Sequence, residues 1–254
     1  MSKRIQGGRF RHGAAILPSL FTVGNLFLGF WAIVKTLNGE LGEAAPLVLG
    51  AIVLDMLDGR IARLTGTASE FGGELDSLSD LVSFGVAPAL LAYRWAFAAM
   101  PRAGWLAAFL FVMCGALRLA RFNVQRHVVD GRYFVGLPIP AAAGQVAALV
   151  HFLPDAIEAR PVAIAMLLLL VTVAFLMVST LRYRSFKGLD LRARRSYITI
   201  LGIALLFLLV ALHPEGVLLA GACSYTVSAP AAYGLALMRR RPGPPPQIAA
   251  GEVR

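Results

Sequence analysis

The stretch LDMLDGRIARLTGTASEFGGELDSLSDLVSFG, residues 54–85, decides how this chain is built. It breaks a background of apolar runs with four aspartates, Asp55, Asp58, Asp76 and Asp80. Asp55 and Asp58 lie three apart and Asp76 and Asp80 four apart, so on helices each pair shares one face. The link between the pairs is short and contains Gly66, Gly72 and Gly73. The pattern predicts two antiparallel helices whose adjoining ends carry both carboxylate pairs to one surface.

The surroundings of this stretch are membrane-like. Of 254 residues, 58% are hydrophobic and only 15% charged. The apolar residues fall in long runs, several of which reach the ~20 residues that a bilayer core requires. The expected fold is all-α, a polytopic membrane helix bundle of about eight transmembrane helices. They are placed near 18–37, 45–63, 75–95, 104–122, 138–154, 161–181, 197–213 and 217–238. Pro138 and Pro140 mark the start of the fifth, since proline is tolerated in a first helical turn. The first run is too long for a signal peptide and lacks a small-residue cleavage site, so it reads as a retained helix. Residues 1–241 form one membrane domain, and the Pro-rich segment 242–254 reads as a disordered tail.

The net charge of +10 would fit a nucleic-acid binder, but its distribution does not. With the N-terminus cytoplasmic and the helices alternating, only Lys35, Arg94, Arg102 and Arg160 of the 24 basic residues fall on the outer side. That bias is the positive-inside pattern. It predicts both termini in the cytoplasm and accounts for the charge without nucleic acid. The two cysteines, Cys114 and Cys223, sit in apolar runs, and the four histidines are scattered, so no zinc or redox site is expected.

Ionisable groups at membrane depth are costly and usually functional. Four converging carboxylates repel one another and need a cation to stay ionised. Their hard oxygens suit Mg²⁺ or Mn²⁺. Gly59 leaves room for a ligand against the helix, Ala62 is small on the same face, and Arg63 suits phosphate oxygens. Carboxylate-bound metals beside such an arginine make a phosphoryl-transfer arrangement. Structural ion pairs with Arg60 and Arg63 are an alternative for one aspartate pair. A metal-ion transporter is an alternative for the whole cluster, although its acids would be expected nearer mid-membrane.

The pattern Asp55-x2-Asp58-Gly59-x2-Ala62-Arg63-x8-Gly72-x3-Asp76-x3-Asp80 resembles the signature of the CDP-alcohol phosphotransferase family at every fixed position. The resemblance implies a six-helix core around the site, with additional helices in some branches, and often a homodimer. It implies that Asp55, Asp58 and Asp76 are ligands of a two-metal centre. Asp80 would both contact metal and take the proton of the incoming alcohol. Gly59, Arg63 and Ser69 would contact the CDP-lipid, with Asp58 and Ala62 beside the nucleotide.

Further segments resemble the serine-using branch of that family. They are Pro18–Phe30, Ala116–Val124, Phe134–Gly144 and Met177–Gly188. Ser19 departs from that branch, which often has asparagine after the proline. The implied substrates are CDP-diacylglycerol and L-serine, met at the cytoplasmic face of a prokaryotic inner membrane and among its lipids. Arg118, Arg121 and Asn123 are candidates for holding serine, with topology anchors that snorkel to the membrane surface the alternative for the two arginines. Inositol, glycerol 3-phosphate and choline are the alternative alcohols, and an archaeal ether lipid is the alternative donor.

Overall fold

The computed structural model describes residues 7–65, 70–125, 133–184 and 211–239, with isolated positions between 201 and 209. Helix α1 (Gly7–Leu37) turns at Asn38–Glu40 into α2 (Leu41–Thr65). Gly39 has φ +83°, the left-handed conformation a helix-ending turn requires. At this turn Lys35 pairs with Glu40 and Glu43. The pairing holds the Glu40 carboxyl below its usual range.

The next rod is continuous but not uniform. Helix α3 (Glu70–Asp80) passes through a π-helical turn, Leu81–Val86, into α4 (Ala87–Ala96). In the wider turn the Ala87 N–H donates to Val82 O, five residues back. Pro88, which has no N–H to give, follows at once. Helix α5 (Pro101–Gln125) returns beside α4, followed by α6 (Ile139–Phe152), α7 (Arg160–Val178) and α8 (Pro214–Arg239). Pro138 caps α6 and Pro140 lies in its first turn, as the sequence predicts. Alanines 142, 143 and 147 of α6 are fully buried, and their small side chains let neighbouring helices approach.

Among the described residues four segments are long and apolar enough to cross a membrane: Leu20–Leu37, Glu70–Ala96, Pro101–Val124 and Arg160–Val178. Ile139–Phe152 is apolar but shorter. Helix α2 has the length but carries Glu43, Asp55, Asp58, Arg60 and Arg63 and is not among the four. The expected helix near 197–213 falls largely outside the described residues, as does the tail from 242.

The all-helical expectation needs one correction. Strands β1 (Tyr133–Val135) and β2 (Arg182–Arg184) pair antiparallel, with Phe134 opposite Tyr183. The sequence reading placed β1 in a loop and carried the sixth helix to 181, whereas α7 ends at Val178. Aromatic and β-branched residues favour strands, but three residues show no usable period. Gly136, just after β1, has φ +79°, and a Cβ there would run into the Met177 carbonyl. Tyr183 is fully buried and donates to Thr226 O at 3.1 Å, which ties β2 to α8. Burial pushes its hydroxyl up to about 12.

Candidate active site

The four aspartates stand where two helices meet. On α2, Asp55 and Asp58 are one turn apart; on α3, Asp76 and Asp80 occupy the last turn before the π-helical segment. Asp55, Asp76 and Asp80 each offer a carboxylate oxygen within 4.8 Å of the others. Asp58 lies close enough to feel the charge of Asp76, and only 5% of it is exposed. Its Oδ2 accepts a hydrogen bond from Thr22 Oγ1 of α1 at 3.1 Å. Asp80, 8% exposed, accepts from Asn25 Nδ2 at 3.3 Å.

Three hard oxygens so close together fit a divalent cation by chemistry and by spacing. Each lies within reach of a common centre, and like charges this near in a poorly solvated cleft need a counter-charge. Mg²⁺ and Mn²⁺ both take such oxygens.

The glycine of the signature gives a second indication. A Cβ at Gly59 would meet nothing within 4 Å. Glycine inside a helix costs about 0.8–1 kcal/mol relative to alanine. Packing among the described residues gives no reason to bear that cost at Gly59, whereas a ligand lying against the helix would. Ser69 is outside the described residues, and the side chains of Ala62 and Arg63 are too.

The three candidates on α5 separate. Arg118 is 8% exposed, and its Nε is buried with no hydrogen-bond partner among the described residues. It interacts electrostatically with Asp80 and Asp55, which puts a cation on the wall of the acidic cleft. Arg121 behaves differently. Its Nη2 donates to Val135 O at 2.8 Å and its Nη1 to Val178 O at 3.1 Å, with a longer bond from Nη2 to Ser179 O. That guanidinium ties α5 to β1 and to the end of α7. Asn123 Nδ2 donates to Ser77 Oγ of α3 at 2.9 Å, while its Oδ1 is buried without a partner among the described residues.

Thr22, Asn25 and Tyr225 are not among the site residues that the sequence singles out. The spacing of Thr22 and Asn25 was the available signal, since it puts two polar groups on one face of an apolar helix. Tyr225, on α8, packs with its ring tilted against that of Tyr183, centroids 5.6 Å apart, and also lies in the field of Arg118.

The family model for CDP-alcohol phosphatidyltransferase matches residues 15–179, and the chain belongs to that family. It is accordingly an enzyme, and the transporter alternative falls. The chain is similar to a CDP-diacylglycerol–serine O-phosphatidyltransferase of Helicobacter pylori, 39% identical over 198 residues, covering 76% of this chain and 81% of that one. A Bacillus subtilis protein of the same name is 36% identical over 173 residues, covering 67% and 91%. An archaetidylserine synthase of Methanothermobacter thermautotrophicus is 38% identical over 177 residues, covering 68% and 71%.

Proposed function

We propose that this enzyme transfers the phosphatidyl group of CDP-diacylglycerol to the hydroxyl of L-serine, giving phosphatidylserine and CMP. The observation that carries the reading is the triad of carboxylate oxygens within 4.8 Å, walled by buried Arg118, in a chain that matches the family model. Serine as acceptor is supported by the names of the bacterial relatives. The archaeal relative keeps serine in its name but not diacylglycerol, so an ether-linked donor is the second reading.

Asp55, Asp58, Asp76 and Asp80 would hold two divalent ions, Mg²⁺ or Mn²⁺, which supply positive charge to the pyrophosphate and to the departing CMP. The chain's own groups do the rest. Asp80 accepts the serine hydroxyl proton as that oxygen attacks the lipid-side phosphorus. The bond from that phosphorus to the bridging oxygen breaks, and CMP departs with the oxygen. Gly59 admits the nucleotide end of the donor beside Asp58 and Ala62, and Arg63 and Ser69 bind its phosphates. Arg118 receives the serine carboxylate, and Asn123 Oδ1 accepts from the ammonium. Arg121, its donors engaged by backbone carbonyls, holds α5 in place so that Arg118 points at the cleft. We place the enzyme in the prokaryotic inner membrane as a homodimer with eight spans. Both termini and the cleft face the cytoplasm, where the basic residues concentrate.

The deciding experiment is CMP release from CDP-diacylglycerol with Mn²⁺ or Mg²⁺, comparing serine, glycerol 3-phosphate, inositol and choline, and then an archaeal ether donor. Serine-dependent release supports the reading. Release with another alcohol overturns the acceptor, and a preference for the ether donor overturns the lipid. For Arg118→Ala the serine KM should rise about 10- to 100-fold, the worth of a charge-assisted pair, with the CDP-diacylglycerol KM little changed. Equal rises for both substrates would count against that assignment.

A further inference from the structure

Helix α1 reaches both carboxylate helices with side-chain donors. Thr22 spends its hydroxyl on Asp58 of α2, and Asn25, one turn on, spends its amide on Asp80 of α3. Asn25 is fully buried and Thr22 is 6% exposed. The backbone beneath these residues is fastened as well. Ser79 Oγ donates to Thr22 O at 3.2 Å and Ser83 Oγ to Asn25 O at 3.0 Å. One turn further, a Cβ at Gly29 would overlap both the backbone and the hydroxyl of Ser83, so the helices there touch main chain to main chain. Ser83 lies in the π-helical turn that starts directly after Asp80, and such turns are frequent at functional sites.

We infer that Asn25 and Thr22 are positioning residues of the reaction, Asn25 orienting the carboxylate of Asp80 and Thr22 that of Asp58. The inference rests on the two-metal reading of the cleft. Its chemistry is specific. An amide N–H and a hydroxyl hold a carboxylate by donation, yet neither adds a positive charge that would compete with a cation. The amide also cannot take the alcohol proton that Asp80 must receive. With one oxygen of Asp80 held by Asn25, the second is left to the cleft. The serine bonds and the Gly29 contact keep α1 from sliding, so the amide stays opposite the carboxylate while substrates exchange.

A bond that merely joins helices within a membrane adds only modestly to stability and leaves the chemistry of the folded protein alone. The two roles separate in Asn25→Ala, purified in the full chain. Positioning predicts a kcat at saturating Mn²⁺ lower by about 10- to 100-fold, with the KM values for serine and CDP-diacylglycerol within about threefold of wild type. It also predicts Mn²⁺ binding weakened about tenfold or more, read from the free-ion electron paramagnetic resonance signal without any substrate. An unchanged kcat together with unchanged Mn²⁺ affinity in folded protein overturns the inference. If Asn25→Ala does not fold, Thr22→Val decides by the same Mn²⁺ titration, because it keeps the side-chain shape and removes only the donor. Wild-type protein that releases CMP with a different alcohol changes the acceptor, and these readouts still decide the inference. Wild-type protein that binds no Mn²⁺ overturns both the metal reading and the inference.

Discussion

Asp80→Asn is expected to lower kcat by about a thousandfold or more while CDP-diacylglycerol still binds. A positioned general base contributes roughly 10²–10⁴-fold, and an amide cannot accept the alcohol proton. The substitution also removes one charge from a cluster whose oxygens lie within 4.8 Å. Three aspartates remain to engage the donor, so CDP-diacylglycerol in the presence of Mn²⁺ should still raise the melting temperature. A near-normal rate would move the proton to another group. A complete loss of the thermal shift would make Asp80 chiefly a binding residue.

Asp55→Asn should act on the other half of the chemistry. Asp55 is half-buried in the second half of α2 and contributes one of the three converging oxygens. Its loss should weaken Mn²⁺ binding by about 100-fold or more and stop turnover at ordinary metal concentrations, since loss of an outer-shell partner alone costs 10–100-fold. The sign of the stability change is diagnostic. Without metal, removing one of several mutually repelling carboxylates should raise the melting temperature. With metal, the wild type should gain stability that the variant cannot. A variant less stable than wild type under both conditions would indicate that Asp55 serves packing, not a cation.

Much of this arrangement was legible because it is local. Asp55, Asp58, Asp76 and Asp80 announce themselves by spacing, and a run of twenty apolar residues announces a membrane helix whatever it packs against. The helices expected at 18–37, 45–63, 75–95, 104–122, 138–154, 161–181 and 217–238 all have counterparts. What stayed hidden is non-local. Arg118 and Arg121 sit one turn apart at the same end of one helix, and nothing in the string tells which faces the acids and which clamps carbonyls on β1 and α7. The pairing of Phe134 with Tyr183 joins segments nearly fifty residues apart, too short for either to betray a strand. Thr22 and Asn25 look incidental until α1 is laid against α2 and α3. The π-helical turn carries no signal beyond Pro88, which fits many geometries.

Large apolar side chains flank the acids on the same helices. Val53, Met56 and Leu57 on α2 and Phe71 and Leu78 on α3 are exposed, alternating with residues that line the cleft. The site therefore has a greasy flank at its own depth. A donor anchored by acyl chains need not leave the bilayer to reach the aspartates; it can diffuse sideways to them. For such an enzyme the quantity that fills the site is the donor's surface density, not its amount per litre. For the proposed reaction, diluting CDP-diacylglycerol with inert lipid should slow the enzyme even when the tube holds the same number of donor molecules, while serine, arriving from water, should follow its ordinary bulk concentration.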